Sequence, residues 1–204
     1  MSALGWQDFQ GATTVGLVCS DGVLLASEKR VTWGGLVASR GGMKVFRLTD
    51  NIGLAFAGLV SDMQALAKEA AAYANLYRLE NNRPISVKAM AKLIASMLFG
   101  RRMFPLYMET LVGGVDEEGG SLFSLDPVGS LIPDRFLTAG TGAALAMGLL
   151  EAEYKEKMSL DEGAKLALKA IKSAVARDIA SGDGVDMLLI RPGGIEERSF
   201  SLRG

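Results

Sequence analysis

Apolar residues along this chain recur first with a strand period and then with a helix period. From Thr13 to Cys19 (T-T-V-G-L-V-C) they are β-branched and nearly continuous, which predicts a strand. S-D-G at 20–22 is a turn signal, and V-L-L-A-S-E at 23–28 predicts the returning strand of a hairpin. Gly34, Gly35, Gly41 and Gly42 mark the next segment as loop. M-K-V-F-R-L at 43–48 and N-I-G-L-A-F-A-G at 51–58, around a T-D-N turn, predict a second hairpin. These strands are apolar on both faces, so both sides of the sheet should be covered.

Ser61 is placed to cap a helix over about 62–79, rich in Ala and Leu, and E-N-N-R-P ends it. Ser86 is placed to cap a second helix running to Phe99, with Gly100 as its stop. Strands resume at about 106–115 and 121–125 across D-E-E-G-G, and a hairpin-like piece covers 130–139. A-G-T-G at 139–142 opens a third helix to about Tyr154. S-L-D-E at 159–162 reads as a capping box for a fourth, reaching about Ile179. After an S-G-D-G loop at 181–184, V-D-M-L-L-I-R-P and I-E-E-R-S-F-S-L form a closing hairpin around Gly193 and Gly194. The helices come in pairs rather than singly between strands. That argues against a βαβ parallel sheet and for an α+β fold: two sheets face to face, with a helix pair on each outer side.

Composition narrows the function. The 204 residues suit one domain, and 49% are hydrophobic, enough for a sizeable core. With 22 basic and 23 acidic residues and no charge block, nucleic acid and anionic membrane are poor partners. No apolar stretch is long enough to span a membrane, and the leader lacks the build of a secretory signal. The single cysteine, Cys19, excludes an internal disulfide framework and fits a reducing cytosol. The absence of histidine is informative, because it removes Ser-His-Asp and Cys-His triads and most zinc sites.

Three positions sit awkwardly in this pattern. Lys44 shares a strand face with Phe46 and Leu48, and Glu28 shares one with Leu24 and Ala26. Either both are edge residues with their heads in solvent, or they form a buried pair with perturbed pKa values at an active site. Asp178 falls at the expected end of the fourth helix, where a carboxylate opposes the macrodipole and suggests a local partner. Thr141 puts a hydroxyl at a helix N-terminus, which capping alone would explain.

G-A-T-T-V-G-L-V-C-S-D-G-V-L-L-A-S-E-K-R-V-T at 11–32 resembles the start of proteasome β subunits, closest to the archaeal type. The likeness continues through the lysine of G-G-M-K-V-F, A-G at 57–58, G-T-G at 140–142 and R-D-I-A-S-G-D-G at 177–184. It implies the N-terminal nucleophile hydrolase fold, a four-layer αββα sandwich, and a threonine-type endopeptidase. In that family the mature chain begins with a threonine, freed when the subunit cuts off its own leader after a glycine. The hydroxyl is the nucleophile and the new α-amino group is the base, so no histidine is required. Residue by residue, the resemblance makes Glu28 the acidic position of the site and Lys44 the lysine that lowers the nucleophile's pKa. Asp178 and Ser181 support the terminal amine, Thr141 stands where the family usually has serine, and Gly58 supplies the oxyanion N–H. Val31, Gly42, Phe56 and Val60 would line an apolar substrate pocket, favouring apolar side chains before the cut. No cofactor or metal is expected. Implied partners are α subunits and other β subunits in stacked seven-membered rings, an ATPase regulatory particle reached through the α rings, and unfolded protein chains. A cytoplasmic location follows from the same likeness. K-R-V-T after Glu28 and S-G-D-G speak against a different N-terminal nucleophile hydrolase acting on small amides.

The departure from the family is at residue 12. Counting from Val15-Gly16 back and forward to Glu28 and Lys44, the nucleophile position falls on Ala12, with Gly11 as the processing glycine. Starting one residue later, at Thr13, would shift the nucleophile about 3.3 Å and turn it to the opposite face. Residues 1–11 are therefore expected to stay attached as a propeptide, with Trp6 and Phe9 as its candidate anchors, ahead of a single domain over 12–204. Two origins fit Ala12: an engineered replacement in a catalytic subunit, or a natural β subunit that only builds the ring. The retained Glu28, Lys44, Asp178 and Ser181 favour the first.

Overall fold

The computed structural model describes residues 11–202; Trp6, Phe9 and the rest of the expected propeptide ahead of Gly11 lie outside them. In chain order the elements are β1 (Thr14–Cys19), β2 (Gly22–Glu28), β3 (Val31–Trp33), β4 (Leu36–Ser39), β5 (Val45–Arg47), β6 (Ile52–Gly58), α1 (Val60–Asn81) and α2 (Val87–Gly100). There follow β7 (Met108–Asp116), β8 (Gly119–Leu125), β9 (Leu131–Pro133), β10 (Phe136–Ala139), α3 (Ala143–Glu153), α4 (Leu160–Val175), β11 (Gly184–Arg191) and β12 (Gly194–Ser201). One five-stranded sheet runs β10-β1-β2-β11-β12 and a second runs β5-β6-β7-β8-β9, with every pairing antiparallel.

Strand alternation sorts the apolar residues into three layers. In β2, Leu24 and Ala26 face α3 and α4, where Leu150, Ala167 and Ile171 meet them. Val23 and Leu25 of the same strand, with Leu188 beside them on β11, face the other sheet, against Leu111 and Leu122. Ile52, Leu54 and Phe56 of β6 face outward again, onto Met63, Leu66 and Ile94 of α1 and α2. The result is the four-layer αββα sandwich, with strands apolar on both faces because both faces are covered. The sheets approach closely where a side chain is missing: a Cβ on Gly16 would lie 2.7 Å from Leu122, and one on Gly113 would lie 2.9 Å from Val23.

Several expected boundaries move, each for a physical reason. The piece at 130–139 is not a hairpin. β9 pairs with β8, whereas β10 crosses to the other sheet and pairs with β1. Pro133, lacking an N–H, ends β9. Ser61 does not cap α1; Leu59 holds the N-cap position without a side-chain bond, because the helix starts directly off β6. The Asp62 carboxylate is spent instead on the Tyr107 N–H, at 2.8 Å. Gly100 belongs to the last turn of α2, and Arg101 caps it. The loop at 29–42 contains the short hairpin β3–β4, turned by Gly34 and Gly35. The other expected caps fare better: Ser86 accepts the Ala89 N–H at the start of α2, and the Ser159–Glu162 capping box satisfies both backbones at the start of α4.

α4 ends at Val175, short of the expected Ile179, so Asp178 lies in the turn beyond the helix. No helix among the described residues is long and apolar enough to cross a membrane.

Candidate active site

Strand ends gather the candidate residues. Gly11 and Ala12 lead into β1, Glu28 closes β2, Lys44 precedes β5 and Gly58 closes β6. Two loops complete the set, 139–142 between β10 and α3, and 176–183 between α4 and β11. Sheet pairing brings them together, since β1 lies between β2 and β10, and β2 lies beside β11.

Glu28 and Lys44 are 1% and 3% exposed, so the solvent-facing reading of these two residues is overturned. The Lys44 ammonium donates to Glu28 Oε1 and, at 2.5 Å, to the Arg30 carbonyl. Glu28 Oε2 accepts the N–H groups of Arg30 at 2.6 Å and Gly182 at 2.8 Å. Burial pushes the Glu28 carboxyl above its ordinary value, while Lys44 and the two N–H donors pull it back. Burial likewise lowers Lys44, opposed by Glu28 and, more weakly, by Asp178. Each partner thus opposes the shift toward the neutral form that burial imposes on the other.

A second polar cluster adjoins the first. Asp178 Oδ2 accepts the hydroxyls of Thr141 and Ser181, each at 2.6 Å, and Oδ1 accepts the Ala180 N–H at 3.0 Å. This is the local partner that the position of Asp178 suggested. Because the Ser181 proton goes to Asp178, the 2.8 Å contact between Thr13 Oγ1 and Ser181 Oγ has Thr13 as donor. The Ala12 carbonyl accepts the Gly142 N–H at 3.3 Å and lies 3.4 Å from the Thr141 hydroxyl.

Ala12 and its neighbour reach both clusters: the Ala12 carbonyl meets Gly142 and Thr141, and the Thr13 carbonyl accepts the Glu28 N–H at 3.2 Å. Ala12 is fully buried with Val45, Ala57 and Ala139 of the inter-sheet core, and its φ of +127° is a region that residues with a Cβ rarely adopt. The carbonyl of the preceding Gly11 accepts the Gly58 N–H at 3.2 Å. Gly58 must be glycine: its φ is +132°, and a Cβ would lie 2.2 Å from the Tyr107 carbonyl. So the one peptide bond ahead of Ala12 has its oxygen on the N–H expected to bind an oxyanion. The neighbouring hydroxyls are committed elsewhere, Thr13 to Ser181 and Thr14 to the Phe56 carbonyl at 2.8 Å.

The expected pocket lining needs one correction. Val31, Gly42 and Val60 are partly exposed, and a Cβ on Gly42 would run into Val31, 2.3 Å away. Phe56 is fully buried, edge-on to Phe46 in the core under α1, and offers no surface to a ligand. Alternation explains this, because Phe56 shares the outward face of β6 with Ile52 and Leu54.

Sequence reasoning missed the support of the site. Arg30 Nε binds Asp183 at 2.9 Å, Arg40 binds the same carboxylate at 3.0 Å, and Arg30 Nη1 donates to the Ile179 carbonyl at 2.9 Å. The guanidinium lies where a Cβ on Gly182 would be. Arg30 therefore fixes the backbone that holds Glu28 and Lys44. The signal was present, an aspartate inside S-G-D-G and an arginine two residues after Glu28, but nothing in the sequence pairs them. A small cavity of about 120 Å³ lies beside this constellation, lined by Gly11, Gly58, Thr141 and Glu109 among others.

A family model described as "Proteasome subunit" matches residues 9–190. The chain is 49% identical over 190 residues to proteasome subunit beta 2 of Thermofilum pendens, covering 93% of each chain. It is 48% identical over 198 residues to proteasome subunit beta 2 of Pyrobaculum neutrophilum, covering 97% of this chain and 98% of the relative. It is 44% identical over 191 residues to proteasome subunit beta of Methanocella paludicola, covering 93% and 92%.

The chain belongs to the proteasome β-subunit family. Its αββα layers are the N-terminal nucleophile hydrolase sandwich that the resemblance implied. Proteasome β subunits are threonine endopeptidases by family. This β subunit carries, next to its Glu28–Lys44 pair, an alanine.

Proposed function

We propose that this chain is a β subunit of a proteasome core particle whose own peptidase centre is silent, with the residues ahead of Ala12 still attached. One observation carries the reading. The Gly11–Ala12 peptide bond sits with its carbonyl on the Gly58 N–H, beside the buried Glu28–Lys44 pair, and residue 12 ends in a methyl group.

With threonine at 12, the remaining parts have chemical work. The Lys44 charge, kept ionised by Glu28, would lower the hydroxyl's pKa and favour the alkoxide. Attack on the Gly11 carbonyl would place negative charge on the oxygen that Gly58 N–H already holds, a donor worth roughly 3–4 kcal/mol in such sites. Release of the leader would free the α-amino group of residue 12 near the Asp178–Ser181–Thr141 cluster, as the base for later substrates. Ala12 supplies no hydroxyl, so neither leader release nor peptide cleavage begins. The complete surround of Glu28, Lys44, Asp178 and Ser181 favours a catalytic subunit with a replaced nucleophile over one that only ever built the ring.

In this reading the partners are α subunits and other β subunits in stacked seven-membered rings. Unfolded chains and an ATPase regulatory particle reach the core through the α rings, and the location is cytoplasmic. The Ala12→Thr variant, assembled with its α and β partners, should lose residues 1–11 and hydrolyse fluorogenic peptides. An assembled variant that cut neither would overturn the site assignment.

A further inference from the structure

Glu109 is a carboxylate that the chemistry above does not use. It stands on β7, next to Met108, which pairs with Gly58 at the end of β6. Its Oε2 accepts the Gly140 N–H at 2.8 Å. Gly140, at φ +93°, lies so close to Ala12 that a Cβ there would come within 2.2 Å of the Ala12 carbonyl. The side chain is exposed, and this bond anchors it beside the site.

The 120 Å³ cavity gives this anchoring a consequence. Glu109 lines it together with Gly11, Gly58, Thr141, Met108 and Pro127. Gly11 holds the place that the acyl residue of any bound peptide must take, with its carbonyl on Gly58 N–H. Its missing side chain would point the other way, toward Thr32 Oγ1 at 3.1 Å and the Ala180 methyl at 3.3 Å. The cavity therefore is not the place that side chain would enter, and it is open to a neighbouring residue of the bound peptide. Arg30 and Arg40 are both taken up by Asp183, and Lys44 by Glu28, so the named cations of the site do not neutralise Glu109.

We infer that Glu109 is a specificity-determining residue, which favours peptides carrying a cationic side chain at a position adjoining the cut. This rests on the proposed threonine-peptidase reading of the site. The attraction acts at an exposed carboxylate, so the expected preference for Lys over an uncharged isostere is about twofold to fivefold in kcat/KM. It should weaken as salt is raised.

The test uses the assembled Ala12→Thr particle and a peptide set in which one lysine, glutamate or norleucine is walked through the three positions on either side of the cleaved bond. Glu109→Gln keeps an acceptor for the Gly140 N–H but removes the charge, and Glu109→Lys reverses it. The inference expects a lysine preference at one or two adjoining positions, its loss in Glu109→Gln and a glutamate preference in Glu109→Lys. A purely structural role would lower kcat for every peptide alike and leave the ratios unmoved. Absence of any lysine preference, or one that survives both substitutions, overturns the inference while leaving the site reading intact. If Ala12→Thr alone cuts nothing, the site reading fails first and takes this inference with it.

Discussion

Leu24 and Glu28 lie four residues apart on β2, both closed off from water, and they are held in opposite ways. Leu24 is surrounded by aliphatic side chains from β1, β11, α3 and α4, none of which must meet it at a set angle. Glu28 depends on three donors, the Lys44 ammonium and the N–H groups of Arg30 and Gly182. The apolar layer tolerates exchange of one similar residue for another. The polar junction does not, because a buried charge left without its partner loses far more than the pair contributes.

The sharpest way to break that contrast is Lys44→Met, which keeps the bulk and removes the charge. The cost should be about 3–5 kcal/mol near pH 8. Burial already raises Glu28, and losing Lys44 removes the main opposing attraction, so its pKa rises further. The folded state then binds a proton that the unfolded state releases, and stability falls as pH rises through that window. The gap between parent and variant in urea unfolding should therefore narrow from pH 8 to pH 5. A gap that widened toward acid would show that Glu28 is not the group left stranded.

Which parts of this were legible beforehand follows from the same contrast. The three apolar layers could be read from strand alternation, because burial on both faces leaves a continuous apolar run such as V-L-L-A at 23–26. The S-L-D-E box fixed the start of α4 through bonds between neighbours in sequence. The end of α4 was misplaced because Asp178 binds Ala180, Ser181 and Thr141, and these local and tertiary bonds compete with another helical turn. The Arg30–Asp183–Arg40 bridge was invisible because it joins residues more than 140 apart, and no periodicity records such a pairing.

A smaller effect is expected on the apolar side. Ser159→Ala removes one half of the α4 capping box and should cost about 1 kcal/mol, read from the urea midpoint. An unchanged midpoint would mean that α4 is held by packing alone. Smallest is Thr110→Val. Thr110 is fully buried beside Phe56 and Leu125, and its hydroxyl has no partner among the described residues. Valine keeps the shape and drops the orphan hydroxyl, so stability should stay level or rise by up to about 1 kcal/mol. A clear loss would place a hydrogen-bond partner, such as an ordered water, at that hydroxyl.

The central claim is that the centre around Ala12 is complete except for its nucleophile. Intact mass of this chain, taken from the particle assembled with its α and β partners, tests it most directly. The account expects a chain that still carries the residues ahead of Ala12. A chain beginning at Ala12 or Thr13 would contradict it, because cleavage would then have occurred without a hydroxyl at residue 12.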